Sequence, residues 1–177
     1  MSINLLIDSI KSGDVLEVQR QLRIDPELLN RTVIDGYSIL HLACRFGQES
    51  LVGLILSQGA LVNLNSCDQA QVTALHLAVS LDDESMAERC VRLLLSHGAE
   101  LNAPDSEGGT ALHIAVQRGS LLLVNCLVQS GGDPHLKNGR GLSAMDEVKQ
   151  MSLSHPSGRF EILKEALKQA HSLQSES

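Results

Sequence analysis

Histidine recurs at positions 41, 76 and 113, each time three residues after a hydroxyl side chain: Ser38-Ile39-Leu40-His41, Thr73-Ala74-Leu75-His76 and Thr110-Ala111-Leu112-His113. Imidazole titrates near neutral pH and ligates metals, so such a ladder raises the questions of proton transfer and of a metal site. The spacing speaks against both. The intervals are 35 and 37 residues, and a worn copy, Ser143-Ala144-Met145-Asp146, follows 33 residues on. Residues set one per structural unit lie on helices whose axes are roughly 10 Å apart. Two rings that far apart cannot share an ion held at about 2 Å by each. The better assignment is structural: the Ser or Thr starts a helix, and the His bridges backbone groups of adjacent turns and units.

The remaining candidates for chemistry are weaker. Asp82-Asp83-Glu84 would attract a cation but lacks the Asp-x-Asp-x-Asp-Gly spacing of a calcium loop, and reads as a solvated acidic turn. Cys44 fills a slot taken by Val79 and Val116 in the sister phrases, which makes it an inert core thiol, since a nucleophile needs exposure and a base. Gly108-Gly109-Thr110 lacks the spaced Gly-Lys of a phosphate loop. No set of residues supplies a nucleophile, a base and an oxyanion stabiliser together, so neither an enzyme, a cofactor nor a metal is expected.

The elements that position these residues follow from the periodicity. Self-similarity at this spacing marks a stacked repeat array. Apolar residues at three-to-four-residue spacing follow each phrase, as in Leu51, Val52, Leu54, Ile55 and Leu56, and give a second helix. The first stretch reads as a capping unit: Leu5, Leu6, Ile7 and Ile10 stripe one helix, and Val15, Val18 and Leu22 stripe another across Gly13. Its Lys11, Asp14, Glu17, Gln19 and Arg20 face water, as an end unit requires. Asp35-Gly36 and Asn138-Gly139 predict two-residue hairpin turns, because both positions tolerate positive φ. The third unit carries two extra hairpin residues between Asn63 and Thr73, and four extra residues around Asp82-Ser85. The latter predict either one more helical turn or a longer helix–helix loop. In the fifth unit, Ser152 to Gly158 stretches the inter-helix turn, and Phe160, Ile162, Leu163 and Leu167 stripe the last helix.

Composition narrows the partners. The chain has 177 residues, a net charge of −7, and 2% aromatic residues: one Tyr, two Phe and no Trp. No cluster of Lys and Arg could track a phosphate backbone, so nucleic acid is not expected to bind. No apolar run approaches a membrane span. Met1-Ser2-Ile3-Asn4-Leu5 lacks the basic region of a secretory signal, and Cys44, Cys67, Cys90 and Cys126 show neither zinc nor disulfide spacing. A cytoplasmic or nuclear protein in a reducing compartment is expected.

The Thr-Ala-Leu-His phrase, with its trailing Gly59-Ala60-Leu61-Val62-Asn63, Gly98-Ala99-Glu100-Leu101-Asn102 and Gly132-Asp133-Pro134, resembles the ankyrin-repeat proteins along nearly the whole chain. That resemblance implies an all-α solenoid of helix pairs with short β-hairpin loops. It would form one domain over residues 1–173: a capping unit 1–32, repeats 33–66, 67–103 and 104–136, and a cap 137–173, with 174–177 frayed. A monomeric right-handed stack of five helix pairs is expected. The implied function is a protein–protein interaction module that scaffolds or sequesters a partner through a concave face of hairpin tips and first-helix ends. Counting from the phrase, that face holds Tyr37, Arg45 and Phe46; Val72, Ser80 and Leu81; Gly109, Gln117 and Arg118; and Leu142, Gln150 and Met151. Tyr37, Arg45, Phe46, Leu81, Gln117 and Arg118 are the candidate contacts, because aromatic and Arg side chains dominate interface energetics. Asp35 to Ala43, and Leu64-Asn65 ahead of Gln71-x-Thr73, resemble inhibitors of NF-kappa-B. The length is comparable to the small ankyrin inhibitors of cyclin-dependent kinases. An inhibitor masking a transcription factor or kinase is the alternative, and a small-molecule site or enzyme is the alternative from another class.

Overall fold

The computed structural model describes residues 3–61, 70–154 and 158–174, with side chains described as far as Lys168. Asn63, Leu64, Asn65 and Cys67, together with the two extra hairpin residues of the third unit, lie outside the described residues, as do 155–157 and all of the tail after Gln174.

The helices come in pairs: α1 (Ile3–Ser12) with α2 (Val15–Ile24), α3 (Ile39–Arg45) with α4 (Glu49–Ser57), and α5 (Ala74–Val79) with α6 (Glu84–Ser96). Beyond these lie α7 (Ala111–Gln117) with α8 (Leu121–Gln129), and α9 (Ala144–Ser154) with α10 (Gly158–Gln174). A hairpin of β1 (Thr32–Ile34) and β2 (Tyr37–Ser38) precedes α3. The chain forms two compact units, Met1–Ala99 and Glu100–Ser177. In the first, α1, α3 and α5 pack in one row, and α2, α4 and α6 in a second. In the second unit, α7 packs on α9 and α8 on α10. The mostly helical fold expected from the repeats is what forms.

The recurring phrase starts each first helix. In α3 and α5 the hydroxyl of Ser38 or Thr73 caps the backbone N–H of His41 or His76, and that histidine's Nδ1 accepts in return from the Ser38 or Thr73 N–H, at 3.3 and 3.1 Å. Thr110 N–H likewise donates to His113 Nδ1 at 3.1 Å. The other ring nitrogen reaches forward: His41 Nε2 lies 3.2 Å from Val72 O, and His113 Nε2 lies 3.1 Å from Leu142 O. A backbone N–H only donates and a carbonyl only accepts, so the geometry fixes the neutral tautomer with the proton on Nε2. Each of these two rings thus ties one helix start to the residue just ahead of the next capping hydroxyl.

Asp146 takes the histidine's place in α9. Its carboxylate accepts from the Ser143 hydroxyl at 2.8 Å and the Ser143 N–H at 3.2 Å, and Ser143 Oγ accepts the Asp146 N–H. The capping half of the motif survives, but a carboxylate has no donor to pass onward. These bonds hold Asp146 below the usual carboxylate pKa, the Ser143 hydroxyl being the largest cause. A depressed folded-state pKa stabilises the fold above the unfolded value and is lost as pH falls through the folded one. Stability should therefore decline as pH drops below about 4, and Asp146→Asn should flatten part of that decline. Denaturant midpoints measured for both proteins across the acid range check this.

The helix–helix turns explain the four-residue insertion. After α3, Gly47 adopts φ +65° while Gln48 N–H reaches back to Ala43 O and Gly47 N–H to Cys44 O, the left-handed close that glycine allows. Asp82 stands at the equivalent place after α5. It has no positive φ; instead Asp83 caps the next helix by accepting the Met86 N–H at 2.9 Å. The extra residues enter α6, which has 13 residues where α4 and α8 have 9. The insertion is one added helical turn, and the acidic cluster supplies its N-cap and first turn.

Three expectations need correction. Asn138-Gly139 is not a two-residue turn. Asn138 Oδ1 gathers the N–H groups of Arg140 and Leu142, and the left-handed residue is Gly141. Asp105 does the same for the N–H groups of Glu107 and Gly109, with Gly108 left-handed. Gly139 is needed for another reason: its N–H meets Glu107 O at 2.5 Å, and a Cβ there would lie 2.8 Å from that oxygen. Ser152, Leu153 and Ser154 belong to helix α9 rather than to the turn. Leu5 and Ile162 are exposed, because only Leu6, Ile7 and Ile10 and only Leu163 and Leu167 turn inward on their helices. Asn30 also ties units together within the first compact unit: its Oδ1 accepts the Leu61 N–H at 2.7 Å. Asn102 repeats the contact with the Asp133 N–H.

Cys44, Cys90 and Cys126 are buried free thiols. Burial pushes the Cys44 thiol well above its ordinary pKa, and burial followed by the nearby Glu49 pushes Cys90 up to about 11. Native protein carrying Cys67→Ser should give almost no reaction with an aromatic disulfide reagent at pH 8 and full reaction in denaturant. Rapid native labelling would show that these thiols open to solvent.

Candidate partner-binding surface

In the first unit, α1, the hairpin and α3 enclose a groove of about 200 Å³. Ile7 and Leu42 form its buried apolar floor, and Ile34 and Phe46 stand exposed at its edge, at 41% and 38% of their surface. Tyr37 opens the second strand of the hairpin and is half-buried, its ring 5.7 Å from that of His41 and tilted by 41°. The guanidinium of Arg45 lies over the Tyr37 ring at 5.9 Å, and Lys11 Nζ lies over Phe46 at 5.9 Å. Cations at this distance from a ring centre are attracted by its negative face. Arg45 also borders a second depression with Leu77, Ser80, Leu81 and Asp82. Leu81 is half-buried and, with Met86, packs against Gly47, where a Cβ would lie 3.5 Å from Leu81 and 3.2 Å from Met86.

The local sequence explains the placement. Arg45 and Phe46 end a short helix just before its glycine, where side chains leave the packed rows. Tyr37 follows Asp35 and Gly36, whose φ values of +47° and +76° make the tight turn the sequence predicts. Ile39, Leu40, Ala43 and Cys44 fill the core from the other faces of α3. The sequence places Tyr37, Arg45, Phe46 and Leu81 near one another, and the structure brings them around adjoining depressions.

Gln117 and Arg118 belong to the second unit and are less available than a count along the chain implies. Gln117 donates to both carboxylate oxygens of Glu147, at 3.0 and 3.2 Å. Arg118 is half-buried. Glu147, only 3% exposed, also accepts from Asn138 Nδ2 at 2.9 Å and pairs with Arg140 at 2.5 Å. Beside this network, Asp105, Glu107, His113 and Asn138 line a cavity of about 360 Å³.

Sequence reasoning missed two residues of these sites. Lys11 sits two residues before Gly13, as Arg45 sits two before Gly47 and Gln117 two before Gly119, so the same count in the first repeat would have found it. Glu147 had no such signal, since its partners come from 7, 9 and 30 residues away.

Both ring nitrogens of His41 and of His113 are engaged with the protein, which leaves no lone pair for a metal. Among the described residues no three His, Cys, Asp or Glu side chains converge to hold an ion, and no helix is long and apolar enough to cross a membrane.

A family model described as Ankyrin repeats (3 copies) matches residues 6–102, and one described as Ankyrin repeats (many copies) matches residues 87–128. The chain is 35% identical over 136 residues to the mouse B-cell lymphoma 3 protein homolog, covering 77% of this chain and 27% of that protein. It is 33% identical over 143 residues to human NF-kappa-B inhibitor alpha, covering 73% and 44%. A putative ankyrin repeat-containing protein of Treponema pallidum is 37% identical over 114 residues, covering 64% and 37%. The chain thus spans less than half the length of each of these relatives.

Proposed function

Because the chain belongs to the ankyrin-repeat family, we propose that it binds another protein through the surface built by Tyr37, Arg45, Phe46 and Leu81, scaffolding or sequestering that partner. The observation that carries this reading is the placement of the aromatic residues. Of three in the chain, two flank one groove at positions outside the row-to-row core, with cations over both rings. Aromatic and Arg side chains bury much area with few rotors to freeze, which is why they recur at interface hot spots. Gln117 and Arg118 are candidate contacts on the second unit by itself, with Gln117 held in place by Glu147. Catalysis is not proposed: the recurring histidines are committed to the backbone and the described thiols are buried.

A second reading is inhibition by masking. The name of NF-kappa-B inhibitor alpha states inhibition for that protein, and the shared repeats support testing a transcription factor of that class as partner here. The test is site-specific photo-crosslinking in a cytoplasmic and nuclear extract, with benzoylphenylalanine in place of Phe46, Tyr37, Gln58 or Gln129. Adducts with one protein from the first two positions, and none from the ends of α4 and α8, support the reading. The reverse pattern ends it.

A further inference from the structure

Among the described residues, Arg20, Arg31, Arg89, Arg92 and Arg140 each pair with an Asp or Glu. Arg45 and Lys11 do not pair with a carboxylate; each rests on an aromatic ring beside the same groove. In a chain of net charge −7, two cations thus stand outside any ion pair around an apolar floor, against one carboxylate, Asp35, lining the groove. We propose that the groove between α1 and α3 takes a protein segment presenting a single Asp or Glu beside an aliphatic residue. This rests on the binding-surface reading above and specifies the partner's chemistry.

Three features fit that occupant. A guanidinium can meet a carboxylate with two parallel N–H donors, and the Tyr37 face already restrains Arg45, so less side-chain freedom is lost on binding. Ile7 and Leu42 below, with Ile34 and Phe46 at the edge, offer an aliphatic side chain apolar contact. Asp35 lines the same groove and Asp82 the depression on the far side of Arg45, neither within ion-pair distance of Arg45 or Lys11. These two carboxylates repel further negative charge on either side, which favours an isolated acidic residue over an acidic run.

The experiment is selection of random phage-displayed linear peptides on the intact protein, followed by titration of the synthesised consensus peptide. Enrichment of one Asp or Glu next to Leu, Ile or Val is expected. Affinity should fall at least roughly tenfold for Arg45→Glu, for Lys11→Glu, and for the peptide with its acid replaced by the amide. It should also weaken with added salt. Circular dichroism and melting of each variant confirm that the folded protein is being titrated. Peptides that depend on Tyr37 and Phe46 but carry no acidic preference, or that ignore Arg45→Glu, would overturn the inference and leave the surface standing. Peptides indifferent to Tyr37→Ala and Phe46→Ala, or no selected peptides, would overturn both.

Discussion

His41→Ala and His113→Ala should each lower the free energy of unfolding by about 2–4 kcal/mol, read from chemical denaturation. Both side chains are 1% exposed, so truncation opens a void as well as removing hydrogen bonds. At His113 the Thr110 N–H loses its acceptor and Leu142 O loses its donor; at His41 the losses fall on Ser38 and Val72 O. Orphaned buried polar groups cost more than the bonds themselves contributed. Removing the hydroxyl partner is milder: Ser38→Ala should cost about 1 kcal/mol, as for other helix N-caps. If either histidine variant were as stable as wild type, the ring would have to serve something other than the fold.

The largest expected effect on binding is at the other end of the same helix. Phe46→Ala should weaken partner binding by about 2 kcal/mol, close to thirtyfold. Phe46 follows the last residue of α3 and is 38% exposed, so little core is lost with it. Tyr37→Ala should cost similar affinity and more stability, because its half-buried ring also packs beside His41. Isothermal titration against the crosslinked partner, with melting temperatures alongside, separates the two contributions. Gln58→Ala, at the exposed end of α4, should change neither.

What the sequence made legible is what repeats. The Ser/Thr-x-x-His phrase located the starts of α3, α5 and α7, since one capping geometry is written each time with the same letters. Gly47 marked a turn, and the count from Ser38 in the phrase located Phe46. Features that break register were harder to read. The residues around Asp82-Ser85 left a helical turn and a longer loop equally open, because an acidic cluster suits both a solvated loop and a helix N-terminus. Asp83, as the N-cap of α6, decides it. At Asn138-Gly139 the dipeptide rule failed because the Asn138 side chain captures two N–H groups that a tight turn would leave to the backbone. Gln117 reads as a free surface side chain until Glu147, 30 residues on, folds beneath it.

In the proposed mode of binding, the residues that hold the repeats are distinct from the residues that meet the partner. The most direct measurement takes unfolding free energy and partner affinity on the same preparations of His113→Ala and of Phe46→Ala. The result expected is a destabilised His113→Ala whose folded fraction binds like wild type, and a Phe46→Ala that unfolds near the wild-type midpoint yet binds about thirtyfold more weakly. The contradicting result is a stable His113→Ala that no longer binds, beside a Phe46→Ala that binds as well as wild type.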